Sequence, residues 1–277
     1  MKEASVKTRI IIGAIGVAIL LPVLIFSDKF IYPIFVALLC GVATYELLSC
    51  SHTFSDIPFT VISFVYALAC PMLARFWNGT VSIFVMTALY VLAIAVYAVV
   101  SQQTEILNRL YSTAFILVYI IFGFSSLIAV RDGQSGLIMT FLAFLCAWLT
   151  DTFAYFSGIA FGKRKLIPKL SPHKTVEGAI GGCAMTLVVT MIIIIGIGIF
   201  SANSPKYLPL ALLVFWASVA AQFGDLAMSQ VKRYYKLKDF GALLPGHGGI
   251  LDRFDSVLSV SLLFCIFASV FPTLKLF

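Results

Sequence analysis

VEGAIGGCAMTLVVTMIIIIGIGIF, Val176 to Phe200, contains a single charged residue, Glu177, at its start. A helix of about 25 residues is roughly 37 Å long, more than the ~30 Å hydrocarbon core of a bilayer. The run therefore reads as a membrane-spanning helix, and Gly178 and Gly182, spaced GxxxG, suit close packing against a neighbouring helix. Eight further stretches have the same character, near 10–27, 30–48, 58–76, 81–100, 111–130, 137–161, 207–228 and 256–273. The whole chain of 277 residues is 61% hydrophobic, with a mean hydropathy of +1.05, outside the range of soluble domains. The expected fold is all-α: a polytopic integral membrane protein of about nine transmembrane helices.

The first apolar run follows Lys2, Lys7 and Arg9, and no small-residue cleavage site succeeds it, so it is expected to stay as a helix rather than be removed. The formal charge of +7 raises nucleic-acid binding as a question, and its distribution answers it. Numbering the spans in order, 14 of the 19 Lys and Arg fall at the N-terminus and in the even-numbered loops. The opposite side holds Lys29, Arg75, Arg131, Lys206 and Lys275. This positive-inside bias places the N-terminus and the two long loops, 162–175 and 229–255, in the cytoplasm. The excess charge reports topology, and no nucleic-acid partner is expected. Ten of the basic residues crowd into those two loops, however, and such clusters attract anionic headgroups or phosphate-bearing substrates. The six cysteines lie in or beside the spans without CxxC spacing and read as small buried residues.

Two regions differ in chemistry. Residues 1–136, about five helices, carry almost no intramembrane charge apart from Glu46, near the cytoplasmic end of the second span, and read as scaffold. Residues 137–277, about four helices, carry Asp151 and Asp225 within or near the ends of apolar segments, together with both long loops. Charged groups at membrane depth are costly and mark a cavity or a partner. Asp252 and Asp255 are three residues apart, so a helix puts them on one face. Asp225 has Ser229 one turn further on, and Asp151 has Tyr155 on its face.

Clustered carboxylates repel unless something positive lies between them. Hard oxygen ligands suit Mg²⁺, which takes one or two carboxylates plus substrate phosphates. Helix caps and ion pairs with Arg253 or Lys232 are the structural alternative. Lys232, Arg233, Lys236 and Lys238 precede the turn GALLPGHGG, and Arg253 follows it. Lys174, in SPHKTVEGAIGG, stands beside the expected start of the seventh helix, where anions are favoured. Successive glycines in the turn allow backbone N–H groups to converge on an anion, and His247 could add a hydrogen bond. These parts suit metal-assisted phosphoryl transfer.

SQVKRYYKLKDFGALLPGHGGILDRFD, beginning at Ser229, resembles the signature of phosphatidate cytidylyltransferases, or CDP-diacylglycerol synthases. The matching elements are Ser229, Lys232, Arg233, Lys238, Asp239, Gly241, Leu244, Pro245, His247, Gly248, Gly249, Asp252, Arg253 and Asp255. Asp151 to Gly182 is also similar, with Phe153 and His173 departing from the residues common there, so Ser171, Lys174, Thr175 and Glu177 are the positions carried over. The likeness is specific over roughly 150–256; the first five spans agree only in hydrophobic character.

The resemblance implies an all-helical membrane enzyme that joins CTP and phosphatidate to give CDP-diacylglycerol and pyrophosphate. It also implies a Mg²⁺ requirement, a homodimer, and a polar cavity open to the cytoplasm and laterally to lipid; in a bacterium the enzyme would lie in the inner membrane. By the same likeness, Asp225 and Asp252 belong to a metal site that can hold two cations, with Asp255 and Asp151 supporting. Lys174, Lys232, Arg233 and Arg253 would hold phosphates with Ser171, Thr175, Ser229, Lys238, His247, Gly248 and Gly249 around them. Two other classes stand beside this reading: another lipid-nucleotide or lipid-phosphate enzyme, and an ion-coupled transporter. The transporter gives no reason for a contiguous basic–glycine–acidic loop, and the paired-aspartate motif of CDP-alcohol phosphotransferases is absent.

Overall fold

The computed structural model describes residues 6–25, 30–102, 107–200, 204–243, 248–271 and 276–277. It is mostly helical. The helices are α1 (Val6–Ile25), α2 (Ile31–Cys50), α3 (Ile57–Leu73), α4 (Gly79–Ser101), α5 (Leu107–Asp132), α6 (Gly136–Phe161), α7 (Val176–Phe200), α8 (Tyr207–Tyr234) and α9 (Leu251–Val270). A single π-helical turn, Ala74–Asn78, joins α3 to α4. Seven helical stretches among the described residues are long and apolar enough to cross a membrane; one of them, Ile57–Ser101, takes in both α3 and α4. Their outward faces are apolar: Val99 is 75% exposed, Phe115 78% and Phe200 92%. Such surfaces are a liability in water and ordinary against lipid tails. The protein is thus a helical integral membrane protein.

The helical expectation gains one addition. Residues 162–175, expected as a loop, contain an antiparallel hairpin of β1 (Lys165–Ile167) and β2 (Ser171–Thr175). Its turn is closed by Leu170 N–H donating to Ile167 O at 3.1 Å. Its base is tied by Glu177, whose carboxylate accepts from the Lys163 and Arg164 amides at 3.0 and 3.1 Å. Residues 229–255 are only partly loop: α8 continues to Tyr234, and α9 starts at Leu251.

The chain forms two compact units, Met1–Asp132 with Tyr234–Phe254, and Gly133–Arg233 with Asp255–Phe277. In the first, tyrosines and hydroxyls pair between helices: Tyr32 donates to Leu127 O (3.3 Å), Tyr66 pairs with Thr87 (2.8 Å), and Tyr90 with Ser63 (3.1 Å). Asp56 caps α3 by accepting from Phe59 N–H at 3.1 Å and also accepts from the Tyr97 hydroxyl at 2.7 Å. Lipid has no hydrogen bonds to offer, so these buried hydroxyls and this carboxylate take partners inside the protein.

In the second unit α6 packs most extensively on α7. The GxxxG pair lies on that seam: a Cβ at Gly178 would come within 2.7 Å of Ala154 O, and one at Gly182 within 2.9 Å of Ala154 Cβ. Thr150 of α6 pairs with Thr186 of α7 (3.3 Å) and donates to Ser218 of α8 (2.8 Å). Small residues allow close approach and hydroxyls join the helices, the usual means of association where apolar burial offers no gain over lipid. Thr175 Oγ1 accepts from Gly178 N–H at 3.1 Å and so caps α7, fixing where the hairpin ends.

Replacing Gly182 by Leu should separate α6 from α7 and destabilise the protein by ~1–3 kcal/mol, the usual cost of overpacking. Gly196 has open space at its Cβ position, so Gly196→Leu should be tolerated. Thermal unfolding of the two variants in detergent checks the contrast.

Candidate active site

Within the second unit, four elements bring ionic side chains together. Asp225, on α8, pairs with the Lys174 ammonium from β2, and Ser229, one turn further along α8, donates to Asp225 Oδ1 at 3.4 Å. The α9 residue Ser256 donates to Asp151 Oδ2 on α6 at 2.8 Å, and its own amide donates to Asp255 Oδ1 at 2.8 Å. The Asp255 carboxyl lies in the field of Asp225 and Asp151 and is countered by Lys232. Arg233 Nε donates to Leu170 O in the hairpin turn at 3.4 Å. Three carboxylates this close persist because lysines and hydroxyl or amide donors offset their repulsion.

Asp151, Tyr155, His173, Lys174, Thr175 and Gln222 line a cavity of about 340 Å³ beside this cluster. A second, apolar cleft of about 500 Å³ lies between α7 and α8, walled by Cys183, Leu187, Phe215, Val219 and Phe223. Ala179 and Gln222 border both spaces. Gln222 is held there by donating its amide to Ala179 O at 3.1 Å and to Cys183 Sγ at 3.1 Å. A polar chamber and an apolar cleft thus lie side by side, with Ala179 and Gln222 as their shared wall. This combination suits a ligand with a charged head and a hydrocarbon tail.

The expected site residues separate accordingly. Asp151, Asp225, Asp255, Lys174, Lys232 and Ser229 come together in the second unit. Ser171 starts β2, and Thr175, expected near phosphate, has its hydroxyl engaged as the α7 cap while lining the cavity. Asp252, Gly248, Gly249, Lys238 and Arg253 belong to the first unit. There Asp252 is buried, and its Oδ2 accepts from the amides of Phe240 (2.8 Å) and Gly249 (2.9 Å). Gly248 has φ +82°, and a Cβ on it would meet that oxygen at 2.8 Å. The Gly249 amide is therefore spent on the protein's own carboxylate. Lys238 and Arg253 are exposed. His247 lies outside the described residues.

Three residues of consequence escaped the sequence reading. Gln222 gave no signal beyond being an amide in an apolar helix. Ser256 directly follows Asp255, and that adjacency could have suggested a hydroxyl donor to the carboxylates. Glu46, taken as a residue reaching the interface, is instead buried at 4% exposure. It accepts from the amides of Ile250 (Oε1, 2.9 Å) and Leu251 (Oε2, 3.0 Å). A lone carboxylate in an apolar helix was the available clue.

Among the described residues no group of three or more His, Cys, Asp or Glu forms a ready cage for a metal. The donors of the second unit are nonetheless all oxygens, from three aspartates with neighbouring hydroxyls. That set fits Mg²⁺, which relies on few carboxylates and completes its shell with water and substrate phosphates.

Comparison with known proteins is consistent with this chemistry. The family model described as "Cytidylyltransferase family" matches residues 7–271. The phosphatidate cytidylyltransferase of Bacillus subtilis (strain 168) is 35% identical over 261 residues, covering 92% of this chain and 95% of that protein. Those of Staphylococcus saprophyticus and Staphylococcus aureus (strain COL) are 34% and 33% identical over 256 residues, with the same coverage. A match over nearly the whole length takes in the scaffold helices as well as the ionic cluster, and by it the chain belongs to the cytidylyltransferase family.

Proposed function

We propose that this chain transfers CMP from CTP to phosphatidate, giving CDP-diacylglycerol and pyrophosphate for phospholipid synthesis. The observation that carries this reading is the Lys174–Asp225 pair, set among further carboxylates beside a polar cavity that adjoins an apolar cleft. The cavity takes the charged ends of the substrates, and the α7–α8 cleft takes an acyl chain of phosphatidate.

In the reaction an oxygen of the phosphatidate phosphate attacks the α-phosphorus of CTP. A new P–O bond forms, the bond to the β-phosphate bridge breaks, and pyrophosphate leaves with that electron pair. A phosphate nucleophile is already ionised near neutral pH, so positioning and charge neutralisation do the work and no strong general base is required. Lys174, Lys232 and Arg233 bind the phosphates, with Ser171 and Ser229 as hydroxyl donors. Asp225 holds Lys174 ready, and incoming phosphate competes for the ammonium. Asp225 and Asp255, with Asp151, would hold Mg²⁺, which when bound offsets phosphate charge. The resemblance assigns Asp252 to the metal site; its two amide partners support an added task in shaping the glycine turn. The distribution of Lys and Arg supports a site on the cytoplasmic face with the N-terminus on the same side. Nine spans, a homodimer and an inner-membrane location complete the proposal.

Labelled CTP, phosphatidate and Mg²⁺ in detergent test it: CMP should pass to lipid with release of pyrophosphate, and absence of lipid-linked CMP would sink it. Asp225→Asn should lower kcat at least about 100-fold while the protein stays monodisperse. Lys174→Met should lower kcat/KM to a similar degree, because a charge-assisted contact to phosphate is lost. Ala184 also lines the α7–α8 cleft, and filling it with Ala184→Trp should raise KM for long-chain phosphatidate and leave it unchanged for a short-chain analogue; equal effects on both would remove the acyl chain from this cleft.

A further inference from the structure

We infer that Glu46 is a positioning residue: from the scaffold helix α2 it sets the geometry of the start of α9 and of Asp252 in its first turn, and through Asp252, which the resemblance assigns to the metal site, it sets the rate of nucleotidyl transfer. Both carboxylate oxygens are used, on the amides of Ile250 and Leu251 at the very start of α9. The first amides of a helix lack intrahelical acceptors, and a carboxylate there also meets the positive end of the helix dipole. Asp252, in the first turn of α9, takes the neighbouring amides of Phe240 and Gly249. Two carboxylates thus hold four backbone amides at the two ends of one excursion. One turn beyond Glu46 on α2, the Cys50 thiol donates to Phe240 O at 3.1 Å, adding a third tie from the same helix face.

Two glycines of the turn region record the fit. A Cβ at Gly249 would stand 2.3 Å from Glu46 Oε1, and one at Gly241 would stand 2.8 Å from the same atom. Neither glycine has the positive φ that would itself exclude a side chain; among the turn glycines described, that belongs to Gly248. Gly241 and Gly249 are glycines because the Glu46 carboxylate occupies the space beside them. A residue needed only to end a helix could be supplied locally by an N-cap; here the cap comes from a side chain about two hundred positions away, seated between two glycines.

The kinetic part of this inference rests on the proposed reaction; the exchange part does not. Glu46→Gln keeps shape and volume and sets an amide NH₂ against a backbone donor. Hydrogen exchange of peptides covering 240–251 should accelerate, with exchange elsewhere unchanged. The folded variant should lose kcat about ten-fold or more, with KM for CTP within about three-fold of wild type. Glu46→Asp, one methylene shorter, should partly relieve the clash made by Gly249→Ala, so that the double variant loses less than the sum of the single losses. Normal turnover per folded molecule in Glu46→Gln, unchanged exchange at 240–251, or additive losses in the pair would each overturn the inference. If wild type itself makes no lipid-linked CMP, the reaction assignment fails, while exchange and stability coupling still decide the role of Glu46.

Discussion

A carboxylate among lipid-facing helices needs a donor or a cation close to its oxygens, because lipid supplies neither. That constraint governs each unit of this protein in its own way. In the first, Glu46 and Asp252 are satisfied by backbone amides, and the result ties Phe240 and residues 249–251 to the two carboxylates. In the second, Asp225 takes a lysine, while Asp151 and Asp255 share the attention of Ser256. Amide partners are rigid and neutral, so they make architecture. Lysine and serine partners can be exchanged for a substrate's phosphate, so they suit the proposed site.

Much of this was legible in the chain. The run Val176–Phe200 announced its helix by length and composition, and the observed α7 has those bounds. The GxxxG pair was legible as a packing device because small residues one turn apart have few other uses in lipid. Asp225 and Ser229 were readable as neighbours because helical spacing alone puts them within reach. Lys174 could be suspected from its place beside a helix start, although its partner, fifty-one residues later, could not.

What stayed hidden depended on contacts between distant segments. The hairpin at 165–175 arises in a polar, proline-containing stretch without the alternation that marks a longer strand, and Glu177 closes it from the following helix. Glu46 was judged by its own helix, whereas its purpose lies in amides of residues 250 and 251. The glycines of the turn suggested an anion nest; two of them make room for a protein carboxylate instead. Local pattern reports what a segment can be, and only the assembled chain reports what it faces.

The excursion from Phe240 to Leu251 has an evolutionary consequence. Surface loops ordinarily drift in length, since each added residue costs little closure entropy. This one is tied at its entry by Asp252 and Cys50 and at its exit by Asp252 and Glu46. An insertion or deletion would pull one set of knots out of register, and a side chain at Gly248 or Gly249 would strike one of the tying carboxylates. Among relatives this segment should therefore hold its length more strictly than ordinary surface loops do.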